Sequence, residues 1–156
     1  MTDALWQDEQ VIAGGSIRSG TLDIRVGPVG AEVNEFVLTS LGGNNLGPNR
    51  FSQAPLSVKN AGTTAMTYRL QSASQSGALP LTLRASRVNA VADCPAGAAP
   101  TNATSLYDGP LGSAQSSARP LASGASEVWC FRVTLGDNPP QNATSTVKLS
   151  FRADQA

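Results

Sequence analysis

The stretch EVWCFRVTL, residues 127–135, decides the fold of this chain. Its apolar residues alternate with the others, so that Trp129 and Phe131 fall on one side of an extended chain. Cys130 and Arg132 fall on the other side. Such alternation over five or more residues predicts a β-strand with one side in the core and one facing water. We therefore expect residues 127–135 to form a core strand of a β-sheet.

The same alternation recurs along the chain. It appears in TLDIRV (21–26), PLSVKN (55–60), MTYRLQS (66–72), LPLTLRA (79–85) and TVKLSFRA (146–153). Segments rich in Gly, Pro and Asn separate these stretches, and KNAGTT (59–64) is short enough for a hairpin turn. No segment has a sustained helical period, although residues 31–39 fit a helical turn as well as a strand. The sequence predicts an all-β protein: an antiparallel two-sheet β-sandwich of the jelly-roll or Greek-key kind, with about seven to nine strands.

The chain has 156 residues, which is the length of one domain. We expect residues 16–156 to form this single β-sandwich domain and residues 1–15 to form an N-terminal extension. Charged residues make up 14% of the chain and the formal net charge is zero, without clusters of either sign. This balance argues against a nucleic-acid partner, and no apolar run approaches the length needed for membrane insertion.

The two cysteines, Cys94 and Cys130, predict a single disulfide and an oxidising compartment. Two reduced, buried cysteines in a cytosolic protein are the alternative. Because Cys130 alternates away from Trp129, a bridge would pin the Pro- and Ala-rich loop around Cys94 onto the outer face of a sheet. The first residues lack the regions of a signal peptide, so we expect a secreted protein in processed form.

The sequence contains no histidine, which removes the most common general base and most zinc sites. The carboxylates are scattered, and the glycine clusters match no phosphate-binding loop. We therefore expect no enzymatic activity, no catalytic residues, no metal site and no cofactor. A surface calcium ion held by Asp137, Asn138 and backbone carbonyls remains an alternative.

Three stretches carry a resemblance to a known family. They are LWQDEQVIAGGSIRSGTLDIRV at the start, LSVKNAGTTAMTYRLQ in the middle, and GASEVWCFRVTL with TSTVKLSFRADQ at the end. They resemble the TasA/camelysin family of exported matrix and surface fibre proteins, in particular its actinobacterial members. The resemblance implies a jelly-roll subunit of a secreted, extracellular filament or biofilm matrix fibre. One family member has been described as a metalloprotease, but this chain lacks the histidines that such a site uses.

The N-terminal segment is the candidate interaction site. Leu5, Trp6, Val11 and Ile12 give it apolar character, and the glycines Gly14 and Gly15 form a candidate hinge after it. As a donor strand, the segment would complete the sheet of a second copy or of a companion fibre subunit, as the resemblance implies. The alternatives are that the segment folds back onto its own domain, or that the protein is a monomeric, adhesin-like surface module that binds through its long loops.

Overall fold

The computed structural model describes residues 7–11, 16–17, 24–32, 48–77, 79–139 and 145–155, and for 7–11 and 16–17 it describes the backbone only. These residues form ten strands, eight of which have four residues or more. The strands are β1 Gln7–Val11, β2 Ser16–Ile17, β3 Ile24–Gly27, β4 Phe51–Asn60, β5 Met66–Gly77, β6 Leu81–Val88, β7 Thr104–Pro110, β8 Arg119–Leu121, β9 Ser126–Leu135 and β10 Ser145–Gln155. The expected all-β fold is confirmed.

The strands form two antiparallel sheets of five strands each. Sheet 1 has the order β2-β1-β10-β5-β8, and sheet 2 has the order β3-β4-β9-β6-β7. Four antiparallel pairs are nested along the chain: β1 with β10, β4 with β9, β5 with β8, and β6 with β7. Successive pairs lie alternately in sheet 1 and sheet 2, which is the winding of a jelly roll. The two-sheet sandwich of the jelly-roll kind is therefore the observed architecture.

The connections include two short 3₁₀ turns, Val91–Asp93 and Leu111–Ser113. Among the described residues, no helix is long and apolar enough to cross a membrane.

The core lies between the two sheets and follows the predicted alternation. In β9, Trp129 and Phe131 are fully buried and point toward sheet 1, whereas Cys130 belongs to a separate buried cluster on the other side. In β10, Phe151 is fully buried, and its ring lies edge-on to that of Trp129 with 5.1 Å between the ring centres. Aromatic packing across the two sheets therefore fixes β9 against β10.

Alternation fails at one point in β5. Tyr68 and Leu70 are buried in the core, but the next buried residue is Ala73 rather than residue 72. The pairing with β10 shifts between Ser150 and Phe151, and Gln71 is the extra residue in β5. A β-bulge of this kind moves the side chains that follow it to the opposite face of the strand.

The predicted hairpin over residues 59–64 is wrong. β4 and β5 lie in different sheets, so the chain crosses from sheet 2 to sheet 1 at this point. The buried Asn60 side chain organises the crossing: its amide donates to the carbonyls of Thr64 and Leu121, and its oxygen accepts from the Gly62 N–H. These bonds stabilise a turn of the Asx type, which a short Asn-x-Gly segment forms between sheets as well as within a hairpin.

Candidate functional site

Strand β1 joins the N-terminal part of the chain to sheet 1. Its residues pair antiparallel with Ser150–Asp154 of β10, and its last residue, Val11, lies opposite Ser150. Strand β2 lies on the other side of β1 and pairs with Glu9 and Gln10. Within a single chain, therefore, β1 pairs with its own sheet. We call the side of β10 along Ser150–Asp154 the pairing edge.

The predicted donor-strand residues fall partly within this region. Val11 belongs to β1, and its backbone pairs at the pairing edge. The remaining predicted residues lie outside the described residues: Leu5, Trp6, Ile12, Gly14 and Gly15.

The sequence of β1 offers little apolar surface. Four of its five residues, in QDEQV, are Gln, Asp or Glu. Burial of apolar surface is the main favourable term in strand packing, at about 25 cal/mol per Å². The backbone pairing with β10 is the link between β1 and the sandwich that the structure describes. Such pairing depends on backbone geometry and not on which chain supplies the strand.

The pairing edge itself is held by the core. On its other side β10 pairs with β5 over its whole length, from Ser145 to Gln155. Phe151 and Ala153 of β10 are fully buried between the sheets. The pairing edge is therefore built by strands other than β1, and without β1 its outward backbone groups would need another partner.

A polar network crosses the core between the two sheets. Arg119 of β8 binds Glu127 of β9 through two hydrogen bonds, 2.9 Å from Nε to Oε1 and 2.8 Å from Nη2 to Oε2. The hydroxyl of Tyr68, in β5, donates to the same carboxylate and accepts from Trp129 Nε1 at 2.8 Å. The network ties sheet 1 to sheet 2 beside the aromatic core.

The network shifts the ionisation of its members. Burial would raise the pKa of Glu127, but the hydrogen bonds from Arg119 and Tyr68 outweigh it and hold the pKa below its usual value. Burial, reinforced by the bond to Glu127, raises the pKa of Tyr68 far above that of a free tyrosine. A carboxylate and a neutral phenol that are paired in this way stabilise the fold.

Alternation along β9 contains one sequence signal of this network. Glu127 shares the inward phase of Trp129, and an acidic residue in that phase requires a buried partner. Arg119 lies in a short strand beside Pro120 that shows no alternation, so the sequence did not identify the partner.

The predicted disulfide joins Cys94 to Cys130, with 5.5 Å between their Cα atoms. Both cysteines are buried and pack with Val88 and Val128 in a small apolar cluster on the outer face of sheet 2, away from the main core. The prediction that the bridge pins the loop around Cys94 onto the outer face of a sheet is confirmed. The alternative of two reduced cysteines does not apply to this structure.

Side chains of sheet 2 also hold this loop. Gln53 of β4 is buried and donates to the carbonyls of Pro95 and Ala98 at 2.5 Å and 2.7 Å. Its oxygen accepts from Arg132 Nε at 2.9 Å. The loop is thus attached to the sheet by a covalent bond and by several hydrogen bonds.

The carboxylates that the structure describes are not gathered into a metal site. In that part of the chain, no group of three or more His, Cys, Asp or Glu side chains is placed to hold an ion. Asp137, named above as a possible calcium ligand, accepts a hydrogen bond of 2.8 Å from the Asn49 side chain.

Comparison with known proteins gives no relative: no family model, no curated protein and no solved structure matches the chain.

Proposed function

We propose that the chain is a secreted structural subunit of an extracellular filament or matrix fibre, similar to proteins of the TasA/camelysin family. Its subunits assemble when β1 of one copy pairs at the pairing edge of the next. The observation that carries the proposal is the pairing of a polar strand, β1, with an edge that the rest of the sandwich builds without it. The assembly needs no catalytic group, cofactor or metal.

Assembly exchanges the β1 pairing within one subunit for the same pairing between two subunits. When β1 leaves its own sheet and enters that of a neighbour, every backbone hydrogen bond of the pair is made again in the same register. The free energy of exchange is then small, and protein concentration decides between the closed and the assembled form. Because each subunit offers one donor strand and one edge, the contact is head-to-tail and forms open filaments unless it closes into a ring.

Secretion agrees with the disulfide. A bond between two cysteines of a single domain persists in oxidising compartments and is rare in the cytosol. We therefore include an extracellular or cell-surface location in the proposal.

Deletion of residues 2–13 tests the proposal directly. We expect the full-length protein to form filaments that are visible by electron microscopy, and the truncated protein to remain small in size-exclusion chromatography. The proposal fails if the truncated protein forms filaments equally well, or if the full-length protein forms none under any condition.

The register allows a sharper test by cross-linking. Glu9 lies opposite Arg152, so Glu9→Cys and Arg152→Cys place two thiols at paired positions. When two proteins that each carry one of these substitutions are mixed and assembled, a disulfide between different chains is expected. A mixture of Glu9→Cys with Lys148→Cys is the control, because Lys148 lies outside the β1 pairing. Equal cross-linking in both mixtures would contradict strand exchange.

A single chain with both Glu9→Cys and Arg152→Cys gives the reverse experiment. An intramolecular disulfide would hold β1 in its own sheet, so oxidised protein should not polymerise and reduction should restore assembly. Because reduction also opens the native Cys94–Cys130 bridge, the parent protein treated with the same reductant is the control.

The second candidate is a monomeric surface module. The attachment of the loop around Cys94 to sheet 2 favours this candidate, because a loop that is held in one conformation loses less conformational entropy when it binds a ligand. A protein that stays monomeric at all concentrations and still binds a surface ligand would support this candidate over the filament.

A further inference from the structure

A row of polar side chains crosses the outer face of sheet 2. Asp108, Arg84, Arg132 and Gln53 occupy directly opposed positions on β7, β6, β9 and β4. The residues on either side of each arginine are buried in the core, so the two arginines point away from it. We call Arg84 and Arg132 the arginine pair.

The arginine pair sets two like charges side by side. Directly opposed like charges on one face of a sheet are destabilising. Asp108 compensates only in part: its carboxylate lies 3.7 Å from Arg84 Nε, and both side chains are exposed, at 46% for Arg84 and 64% for Asp108. Burial, and then the charge of Arg84, lowers the pKa of Arg132. The row thus has two positive charges and one negative charge, which favours a bound anion.

Arg132 is fixed in orientation. Its Nε donates to Gln53, its Nη2 lies 3.4 Å from the Ala98 carbonyl, and its guanidinium carbon lies 3.8 Å from the centre of the Phe51 ring. Its Nη1 has no hydrogen-bond partner in the described part of the structure. A guanidinium that is already held in place loses little entropy when it binds a carboxylate.

Neutral hydroxyl groups lie beside the charges. Thr82 and Thr134 are opposed at the next outward positions of β6 and β9, with Phe51 opposite Thr134. Both β6 and β9 are internal strands, so their backbone groups are paired on both sides. A ligand that lies over β6 and β9 is recognised by side chains, because neither of these internal strands has an open edge to accept the backbone of a peptide.

We propose that the arginine pair binds carboxylate groups of an acidic polysaccharide that lies across the outer face of sheet 2. The two guanidinium groups supply charge-assisted hydrogen bonds to a uronate carboxylate, and the threonine hydroxyls bind neighbouring sugar hydroxyls. The outward threonine hydroxyls beside the two guanidinium groups match the mixed hydroxyl and carboxylate groups of a uronate chain, which favours a sugar chain over an acidic peptide. The site is in sheet 2 and the pairing edge in sheet 1, so this proposal and the filament proposal can fail separately.

The test uses the full chain and polygalacturonate as the probe, measured by isothermal titration calorimetry at low ionic strength. Arg84→Gln is the decisive variant, because Arg84 takes no part in holding the loop at Ala98. We expect about tenfold weaker binding for the loss of one bidentate contact. Lys148→Gln removes the same charge from sheet 1 and is the matched control, expected to bind within about twofold of the unsubstituted protein.

A second variant reverses the sign of the effect. Asp108→Asn removes the carboxylate that competes for Arg84, so binding should become roughly threefold tighter. Because this variant gains affinity, misfolding cannot mimic its result. Methyl-esterified polygalacturonate, which lacks the negative charge, should bind none of the proteins measurably.

Any of four results with polygalacturonate or its methyl ester would overturn the proposal. They are the absence of binding to polygalacturonate, an equal loss in Arg84→Gln and Lys148→Gln, equal binding of the methyl ester, and no gain in Asp108→Asn. Poly-L-glutamate serves as the peptide probe. If it binds as tightly as polygalacturonate with the same dependence on Arg84, the site recognises acidic protein segments and the polysaccharide assignment is wrong.

Discussion

Replacement of Tyr68 by phenylalanine removes a single hydroxyl from the network between the sheets. That hydroxyl accepts from Trp129 Nε1 at 2.8 Å and donates to Glu127. Tyr68 is 1% exposed and Trp129 is 0% exposed, so water cannot replace the lost oxygen. Tyr68→Phe therefore leaves a buried indole N–H without an acceptor.

The magnitude follows from these two bonds. A buried donor left without a partner costs about 1–3 kcal/mol, and a hydrogen bond to a charged group contributes about 1.5–3 kcal/mol. Glu127 keeps its two bonds to Arg119, which offsets part of the loss. We expect Tyr68→Phe to lower the free energy of unfolding by about 2–3 kcal/mol.

The second tyrosine provides a matched control. The hydroxyl of Tyr107 donates to the Pro110 carbonyl, and this bond is exposed to solvent. Tyr107→Phe should cost about 0.5–1 kcal/mol, the net value of an ordinary hydrogen bond. Urea denaturation of the oxidised proteins, followed by circular dichroism, measures both changes. If the two variants lose the same stability to within about 0.5 kcal/mol, the network between the sheets does not stabilise the sandwich more than an exposed hydrogen bond does.

Three further predictions concern stability. Folding lowers the pKa of Glu127, so the ionised carboxylate stabilises the fold above the pKa of the unfolded carboxyl, and this stabilisation is lost as pH falls through the folded pKa. The urea midpoint should therefore drop on acidification, and it should drop less in Glu127→Gln. An identical pH dependence in both proteins would contradict this. Replacing Cys94 and Cys130 together by serine should cost roughly 3–4 kcal/mol, measured by the same denaturation, and a reducing agent should change only the parent protein. Asn60→Ala should cost about 2–4 kcal/mol, since Asn60 is fully buried with three hydrogen bonds; a loss below about 1 kcal/mol would show that the crossing between sheets does not depend on them.

Much of the sandwich could be predicted from local pattern. Alternation placed Leu56, Trp129 and Phe151 in the core, and all three are buried. Proline has no N–H for a ladder hydrogen bond and is typical of a strand start, and β6 begins directly after Pro80, at Leu81. The pattern also placed Cys130 on the outer face, which made the position of the disulfide predictable.

Local sequence pattern predicts the candidate sites less well than it predicts the strands. The N-terminal segment could be recognised as a strand, but its partner on β10 is more than 130 residues away in the chain. The arginine pair was not predicted at all, since Arg84 and Arg132 are 48 positions apart and face each other only through the pairing of β6 with β9. Opposed positions on neighbouring strands depend on register, which alternation within one strand does not specify.

In the strands that alternate regularly, the sequence by itself determined which side faces the core, because that choice depends on whether apolar side chains fall at every second position; in β5 the bulge at Gln71 reverses the side. Only the tertiary structure decided which strands pair, where the chain crosses between sheets, and which polar side chains meet. The failed hairpin at residues 59–64 illustrates the difference. The same Asn-x-Gly turn is compatible with one sheet or two, and the packing of Leu56 and Val58 in sheet 2 against Tyr68 and Leu70 in sheet 1 selects the crossing. Distant contacts decide that packing, and no local stretch of the chain contains them.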